Sequence, residues 1–236
     1  MVRNLLINAG RRLLGEKFPP SRFPQSIIRM RDSTYSPWLA DSEFQLVHTK
    51  VQNYTMIEEP RLYELWTLAR QARRLDGALI EVGCWRGGAG CMMAAAAKAP
   101  VLMCDTFKGV VKTGRQDNTY LGGEHADASE ENVRELARSL AVEVEILSGI
   151  FPDETGSSVS DRRFAMCHID VDTYRSAKDA AEWLWPRVLP GGVVVFDDYG
   201  CATCDGIRDC LHEWMPARDR LMIHNLNGHA VVVKLG

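Results

Sequence analysis

The chain has 236 residues with 46% hydrophobic content, which is enough for one sizeable core, and its formal net charge is −3. This near balance of charge gives no electrostatic reason to expect a nucleic acid partner, and no apolar run approaches the length needed for membrane insertion. Seven cysteines at irregular positions, mostly in apolar runs, are typical of reduced thiols and favour a cytoplasmic protein.

The first 60 residues are predicted to form an N-terminal arm or cap. Residues 1–18, MVRNLLINAGRRLLGEKF, place basic and apolar residues at helical spacing. This pattern favours an amphipathic arm that packs on the body of the protein or on another subunit of a homo-oligomer, with a membrane-surface helix as the alternative. Residues 18–60 are rich in Pro, Ser, Arg and aromatic residues, which indicates irregular structure. We therefore divide the chain into an arm, 1–60, and one domain, 61–236.

Helices and strands alternate after the arm. Helices are predicted where apolar residues recur at helical spacing, over 61–75, 87–99, 129–140, 175–188 and 206–215. Strands are predicted at the apolar runs 78–83, 101–105, 142–149, 164–170 and 191–198. Asn227-Gly228 joins two more apolar runs, which predicts a hairpin. The order predicts a doubly wound, mostly parallel α/β sheet with helices on both faces and an antiparallel C-terminal hairpin.

Unusual polar residues and glycines follow each of the five predicted parallel strands. In chain order they are Glu81 and Gly83, Asp105, Ser148 and Gly149, Asp170 and Asp172, and Asp197 and Asp198. Ligands of doubly wound sheets bind outside the carboxyl ends of the strands, near the point where the strand order reverses. The sequence therefore predicts a binding site at this edge of the sheet.

The first half of that site is predicted to bind a nucleotide. Residues 81–88, EVGCWRGG, give a strand, an acidic residue, a glycine turn and a helix start, although a simple tight turn explains this motif about as well. Asp105 stands about twenty residues further, where nucleotide-binding sheets hold a ribose diol. The glycine spacing differs from the dinucleotide fingerprint, and hydride transfer does not require an acidic cluster, so S-adenosylmethionine is favoured over NAD.

The second half is predicted to bind a hard cation. Asp170, Asp197 and Asp198 converge if their strands are neighbours, and carboxylate oxygens suit Mg²⁺ better than Zn²⁺. Asp172 is near enough to accept a proton from a hydroxyl held there. His168 lies further back in its strand and is interpreted as structural. Cys201 and Cys204 form a lone CxxC motif without a second pair, which argues against zinc.

Six segments together resemble the macrocin-type O-methyltransferases. They are TMIEEPRL (55–62), EVGCWRGGA (81–89), CDTFKG (104–109), LSGIFPDE (147–154), HIDVDTYRSAKDA (168–180) and PGGVVVFDDYG (190–200). The family comprises bacterial class I enzymes that methylate sugar hydroxyls of antibiotics with S-adenosylmethionine and Mg²⁺. This chain has Asp-Val-Asp at 170–172 where the family usually has Asp-Gly-Asp, which implies a narrower pocket. It also has Glu-Thr-Gly at 154–156 in place of Thr-Leu-Pro.

The resemblance implies a role for each matching residue. Asp170, Asp197 and Asp198 would hold Mg²⁺, and Asp172 would be the general base. The cofactor-binding residues would be Tyr54, Thr55, Met56, Glu81, Gly83, Trp85, Arg86, Gly87, Asp105, Thr106, Ser148, Gly149, Phe151 and Asp170. Residues 108–127 would form a mobile lid over the acceptor; a merely flexible loop would look the same.

The sequence thus predicts a Mg²⁺-dependent enzyme that moves a methyl group from S-adenosylmethionine to a hydroxyl of a sugar or glycosylated natural product. A catechol-like or other small diol is the alternative acceptor. An NAD-dependent oxidoreductase and a non-catalytic S-adenosylmethionine-binding protein are two further functions that the same fold could serve. Tyr35, Trp38 and Tyr120 are candidates either for lining the acceptor pocket or for packing the cap.

Overall fold

The computed structural model describes residues 21–22 and 35–236, so the predicted amphipathic segment 1–18 lies outside the described residues. The helices are α1 Ser42–Val51, α2 Glu59–Ala72, α3 Gly88–Ala97, α4 Glu130–Leu140, α5 Tyr174–Leu184 and α6 Asp205–Trp214. The strands are β1 Ala78–Val82, β2 Val101–Asp105, β3 Val144–Ser148, β4 Phe164–Ile169, β5 Val188–Phe196, β6 Arg220–His224 and β7 Ala230–Lys234. Among the described residues, no helix is both long and apolar enough to cross a membrane.

The seven strands form one sheet in the order β3-β2-β1-β4-β5-β7-β6. The first five strands in the chain pair in parallel, and β7 pairs antiparallel with β5 and β6. The predicted doubly wound α/β sheet with a C-terminal hairpin is therefore confirmed. The strand order reverses between β1 and β4, so the carboxyl ends of these two strands mark the crevice where such folds bind ligands.

The sheet separates two hydrophobic cores, because successive side chains of a strand point to opposite faces. Leu79 of β1 packs with residues from α1, α2, α3 and α4, whereas its neighbour Ile80 packs with α5 and α6. Helix α3 has nine of its ten residues buried because it lies in the first core under α1 and α2. The start of α3 is thereby fixed against the end of β1.

Helix α1 is the main element that the sequence patterns missed, since residues 18–60 were predicted to be irregular. Asp41 caps this helix, and its side chain accepts a hydrogen bond from the Phe44 backbone N–H at 3.1 Å. Phe44 and Val51 are fully buried in the first core. The sequence patterns missed this short helix because its flanks are rich in Pro and Ser. Packing against the core, rather than intrinsic helix propensity, stabilises it.

The bounds of three predicted elements shift for reasons of proline and glycine chemistry. Helix α2 begins at Glu59, with Pro60 in its first turn, where the missing N–H costs nothing. Helix α5 ends at Leu184, because Pro186 ends the helical bonding and a 3₁₀ turn follows over Trp185–Arg187. Strand β5 begins at Val188 and continues through Gly191, which has a φ of +79°. The predicted start of this strand was Gly191.

Gly83 is the residue at which β1 leaves the sheet, and its replacement by alanine is expected to destabilise the protein. Its φ is +90°, and a Cβ there would overlap the backbone oxygen of Asp170. We expect Gly83→Ala to lower the free energy of unfolding by about 3 kcal/mol or more, because strain and overpacking add. Chemical denaturation monitored by circular dichroism measures this change.

Gly123 offers the matched control. Its φ is also +90°, but a Cβ there would meet nothing within 4 Å. Gly123→Ala is expected to cost only about 1–2 kcal/mol, the cost of the left-handed backbone alone. Equal losses for the two variants would contradict the close approach of β1 and β4.

Candidate active site

One cavity opens at the carboxyl ends of the strands, where β1 and β4 meet. Fourteen of the sequence-predicted site residues line it: Tyr54, Thr55, Met56, Glu81, Gly83, Trp85, Asp105, Thr106, Gly149, Phe151, Asp170, Asp172, Asp197 and Asp198. The Asp170 backbone N–H donates to the Val82 carbonyl at 2.9 Å. The predicted nucleotide half and the predicted acidic half thus meet directly, across the ends of two adjacent strands.

Three predicted cofactor-binding residues are not part of the cavity lining. The Arg86 guanidinium instead donates to Asp127 at 2.6 Å on the surface. A Cβ on Gly87 would face Val133 and Met103 in the first core, so this glycine serves the turn through its φ of +86°. Ser148 is the last residue of β3 and pairs in register with Asp105, two strands away from β1.

The glycine turn lies against the segment that was predicted to cover the cofactor. The Gly88 backbone N–H donates to the Tyr54 carbonyl at 3.0 Å. A side chain on Gly88 would come within 2.6 Å of that same oxygen, so the approach requires glycine. Tyr54, Thr55 and Met56 are held in this way beside the beginning of α3.

Asp105 is held at the cavity wall by two backbone donors. Its Oδ2 accepts from the Trp85 N–H at 2.7 Å, and its Oδ1 accepts from the Phe107 N–H at 2.8 Å. Burial raises the pKa of Asp105, although the backbone hydrogen bonds act in the opposite direction. A carboxylate fixed in this way retains lone pairs for a ligand hydroxyl.

Glu81 is a buried carboxylate, and one of its two oxygens has a hydrogen-bond partner in the described residues while the other has none. Its Oε1 lies 2.9 Å from His168 Nδ1, and both side chains are almost fully buried. Its Oε2 is buried and has no hydrogen-bond partner in the described part of the chain. A buried carboxylate oxygen is costly when unpaired, so this atom favours a cationic or hydrogen-donating ligand in the adjoining cavity.

The acidic cluster forms as predicted. Single oxygens of Asp170, Asp197 and Asp198 all lie within 4.8 Å of one another, which is a spacing that a metal ion could hold. Burial and repulsion from neighbouring carboxylates raise the pKa values of Asp170 and Asp198 well above the usual range. Asp198 also has a φ of +57°, in the left-handed region that few non-glycine residues adopt.

Asp197 has two basic partners that the sequence patterns did not reveal. Its Oδ1 lies 2.6 Å from Arg61 Nη1 and 2.7 Å from His229 Nε2. His229 Nδ1 in turn lies 2.6 Å from Glu64 Oε2. Burial raises the pKa of Asp197, but His229 and Arg61 outweigh burial and hold it well below the usual range. Arg61 lies in α2 and His229 is the residue just before β7, so no local sequence pattern reveals either partner.

Asp172 lies at the same cavity with a φ of +62°. Burial raises its pKa, and the neighbouring Tyr120 lowers it in part. Tyr120 belongs to the long loop 106–127 and is one of the three aromatic candidates for the acceptor pocket. Of the remaining two, Trp38 packs near Tyr63 and Tyr35 is 79% exposed, and neither lines the cavity.

The predicted lid, residues 108–127, which we call the lid loop, is tied to the rest of the protein by several side chains, among them Lys112, Asp117 and Asn118. Lys112 lies 2.9 Å from Asp153 and 2.7 Å from Asp179. Asp117 accepts from the Tyr174 N–H at 2.8 Å. Asn118 donates to the Ala202 carbonyl at 2.9 Å. The loop therefore closes one side of the cavity with Tyr120 between fixed anchors.

A family model described as macrocin-O-methyltransferase (TylF) matches residues 40–224, a range that contains every cavity-lining residue. The chain belongs to the macrocin O-methyltransferase family. The resemblance seen in the sequence motifs is thus confirmed, and the family match extends beyond the motifs into α1 and β6.

Individual relatives show how far the similarity reaches. An 8-demethyl-8-(2,3-dimethoxy-alpha-L-rhamnosyl)-tetracenomycin-C 4'-O-methyltransferase of Streptomyces olivaceus is 32% identical over 59% of this chain, which spans 58% of that relative's length. Mycinamicin III 3''-O-methyltransferase of Micromonospora griseorubida is 30% identical over 71% of each chain. The solved structure of the O-methyltransferase NovP is 26% identical with a TM-score of 0.65, covering 77% of this chain and 82% of NovP. The predicted class I methyltransferase fold is confirmed by these matches.

Proposed function

We propose that this protein is a magnesium-dependent O-methyltransferase that moves a methyl group from S-adenosylmethionine to a hydroxyl of a sugar or glycosylated natural product. The observation that carries the proposal is the single cavity where the glycine turn, Asp105 and four aspartates meet. Two relatives are named for methylating a rhamnosyl tetracenomycin and mycinamicin III, which supports a glycosylated small-molecule acceptor. Seven free cysteines support a reducing compartment, the cytoplasm.

The residues of the first half fit S-adenosylmethionine. Glu81 Oε2 is a buried acceptor without a partner, which suits the ammonium group of a methionine moiety. Gly83 lines the same cavity, and Asp105 offers carboxylate lone pairs to a ribose diol. The bound donor would supply a methyl group already activated on a sulfonium. The protein is left with the tasks of orienting the acceptor oxygen and removing its proton.

The residues of the second half fit Mg²⁺. The candidate ligands Asp170, Asp197 and Asp198 are all carboxylates, and their mutual repulsion is of the kind that a divalent cation relieves. Arg61 compensates only part of this charge, because it lies 2.6 Å from Asp197 but 3.8 Å from Asp198. Within the described part of the chain, no salt bridge reaches Asp170. A magnesium ion held by these residues would lower the pKa of an acceptor hydroxyl.

Asp172 is the proposed general base. It lies two residues beyond Asp170 and lines the same cavity. Its raised pKa makes it a better proton acceptor than an ordinary aspartate. Val171, which stands where the family usually has glycine, lines the cavity between the two aspartates and narrows it. The proposal is a direct transfer to the acceptor oxygen, without a covalent enzyme intermediate.

Cofactor choice is the first test of this proposal. S-adenosylhomocysteine is expected to raise the melting temperature, with about 2.7 kcal/mol of stabilisation at a hundred times its dissociation constant, whereas NAD is expected to have no effect. Asp105→Asn is expected to weaken S-adenosylhomocysteine binding by about tenfold or more, because hydrogen bonds to a charged acceptor are lost. Thermal shift and calorimetry measure both effects.

Asp161 provides the control for this test. It lies on the exposed surface outside the cavity, so Asp161→Asn makes the same chemical change without touching the site. Its affinity for S-adenosylhomocysteine is expected to match that of the unmodified protein. Stabilisation by NAD in place of S-adenosylhomocysteine would overturn the proposed methyltransferase and favour the oxidoreductase.

A further inference from the structure

Cys201 and Cys204 lie directly after the acidic cluster, in the loop that leads from β5 to α6. The sequence alone argued against a zinc site here because the CxxC motif lacks a second pair. The structure adds a third ligand, since the two Sγ atoms and one oxygen of Asp198 all lie within 4.8 Å of one another. The Cys201 backbone N–H donates to the Asp198 carbonyl at 2.8 Å, and this turn brings the three side chains together.

We infer that Cys201, Cys204 and Asp198 form a second metal site, selective for a thiophilic divalent cation such as Zn²⁺. Two thiolates at CxxC spacing with one carboxylate supply three of the four tetrahedral ligands that zinc prefers. Mg²⁺ does not compete for the sulfurs, because hard cations take oxygen ligands. Binding converts both thiols to thiolates and releases their protons to solvent.

The surroundings of the two sulfurs suit this role. Cys204 is buried at the N-cap position of α6, and the neighbouring Cys201, burial and the carboxylates of Asp198 and Asp172 raise the pKa of its thiol well above the usual range. A bound divalent cation relieves this repulsion and displaces the thiol proton. Thr203 Oγ1 lies 3.0 Å from the Cys201 sulfur and 3.6 Å from the Cys204 sulfur, so one hydroxyl links them. The five remaining cysteines are buried, and none of them joins a metal-ligand group in the described residues.

The second site shares Asp198 with the proposed magnesium site. A cation bound to the two sulfurs draws on the same carboxylate that Mg²⁺ requires, so the two metals compete. Zn²⁺ is therefore expected to inhibit methyl transfer, and excess Mg²⁺ is expected to relieve that inhibition in part. This competition, unlike the thiolate site itself, rests on the proposed function.

Cobalt spectroscopy tests the site in the full-length protein. Co²⁺ titrated into the metal-free protein is expected to give a thiolate-to-cobalt charge-transfer band, which added Zn²⁺ abolishes. The band is expected to be lost in Cys201→Ser and Cys204→Ser. It is expected to persist in Cys210→Ala, which removes a buried cysteine of α6 outside the cluster. Absence of the band in the unmodified protein, or its persistence in both serine variants, would overturn the site.

Alkylation gives a second measurement that needs no variant. Cys201 is the one cysteine of the described chain that is not buried, so iodoacetamide labelling followed by mass spectrometry reports on it. Zn²⁺ is expected to protect Cys201 from alkylation, and Mg²⁺ alone is expected to leave the labelling unchanged. Equal labelling with and without Zn²⁺ would contradict the inference. A cobalt band in an enzyme that needs no Mg²⁺ would support this site and overturn the proposed function. Absence of the cobalt band in an enzyme that needs Mg²⁺ would overturn this site and support the proposed function.

Discussion

Asp172→Asn is expected to lower the turnover number by about 10²–10⁴-fold, the range that general acid or base catalysis contributes. Asparagine has nearly the shape of aspartate but cannot accept the proton of the acceptor hydroxyl. Asp172 is not among the three carboxylates that converge as a metal site, so Mg²⁺ and S-adenosylhomocysteine are expected to bind with little change. Single-turnover kinetics with calorimetry separates the chemical step from binding.

Two further variants test the specificity of this result. Asp161→Asn, on the exposed surface, is expected to retain full turnover. Tyr120→Phe removes the hydroxyl that lowers the pKa of Asp172 but keeps the carboxylate, so a smaller loss is expected than for the asparagine variant. If Asp172→Asn kept full turnover, another group would have to be the base.

Removal of divalent metal is expected to abolish methyl transfer, and Mg²⁺ is expected to restore it. Asp170→Asn removes one of three carboxylate ligands, and we expect the Mg²⁺ affinity to fall by at least about tenfold. The raised pKa values of Asp170 and Asp198 add a pH dependence, because these carboxyls must lose their protons to bind the ion. Mg²⁺ affinity should therefore fall as the pH is lowered. Calorimetry in buffers of different ionisation enthalpy measures the released protons.

The competing outcome is that Arg61 already supplies the positive charge the cluster needs. Its guanidinium lies 2.6 Å from Asp197. Burial lowers the pKa of Arg61, but the charges of Asp197, Glu58 and Asp198 outweigh burial and raise it. In that case chelator-treated enzyme would work as fast as metal-replete enzyme, and calorimetry would detect no Mg²⁺ binding. Asp161→Asn again provides the comparison for the Asp170 variant, and its Mg²⁺ affinity is expected to be unchanged.

Much of the fold and site could be predicted because the deciding signals are local. Alternating helices and strands fix a doubly wound sheet, and parallel strands bring residues at their carboxyl ends to one edge. That rule alone placed Glu81, Asp105, Asp170 and Asp197 around one cavity. The start of α4 is also set by a local signal, for which Asp127 and Ser129 were the two candidate caps; the structure shows Ser129 accepting a hydrogen bond from the Asn132 N–H.

What the sequence did not reveal depends on contacts between distant segments. Arg61 and Asp197 are 136 positions apart in the chain, and nothing in the local sequence around a helical arginine indicates which carboxylate it will bind. His229 reaches Asp197 only because β7 pairs with β5. The third ligand beside the CxxC motif is equally non-obvious, because Asp198 was already assigned to the magnesium cluster. The basic groups that neutralise the acidic cluster therefore become visible only once the chain is folded.

The lid loop combines anchored side chains with an exposed tip. Lys112 and the pair Asp117 and Asn118 fasten the loop to the rest of the protein, whereas Leu121 is 85% exposed and Gly123 has open space around it. Leu121 can therefore be substituted with little penalty to the body of the enzyme, whereas its neighbour Tyr120 lines the cavity and Gly122 and Gly123 have a positive φ. On the proposed function, substitutions at Leu121, beside the cavity residue Tyr120, offer a route to variants with a different acceptor range.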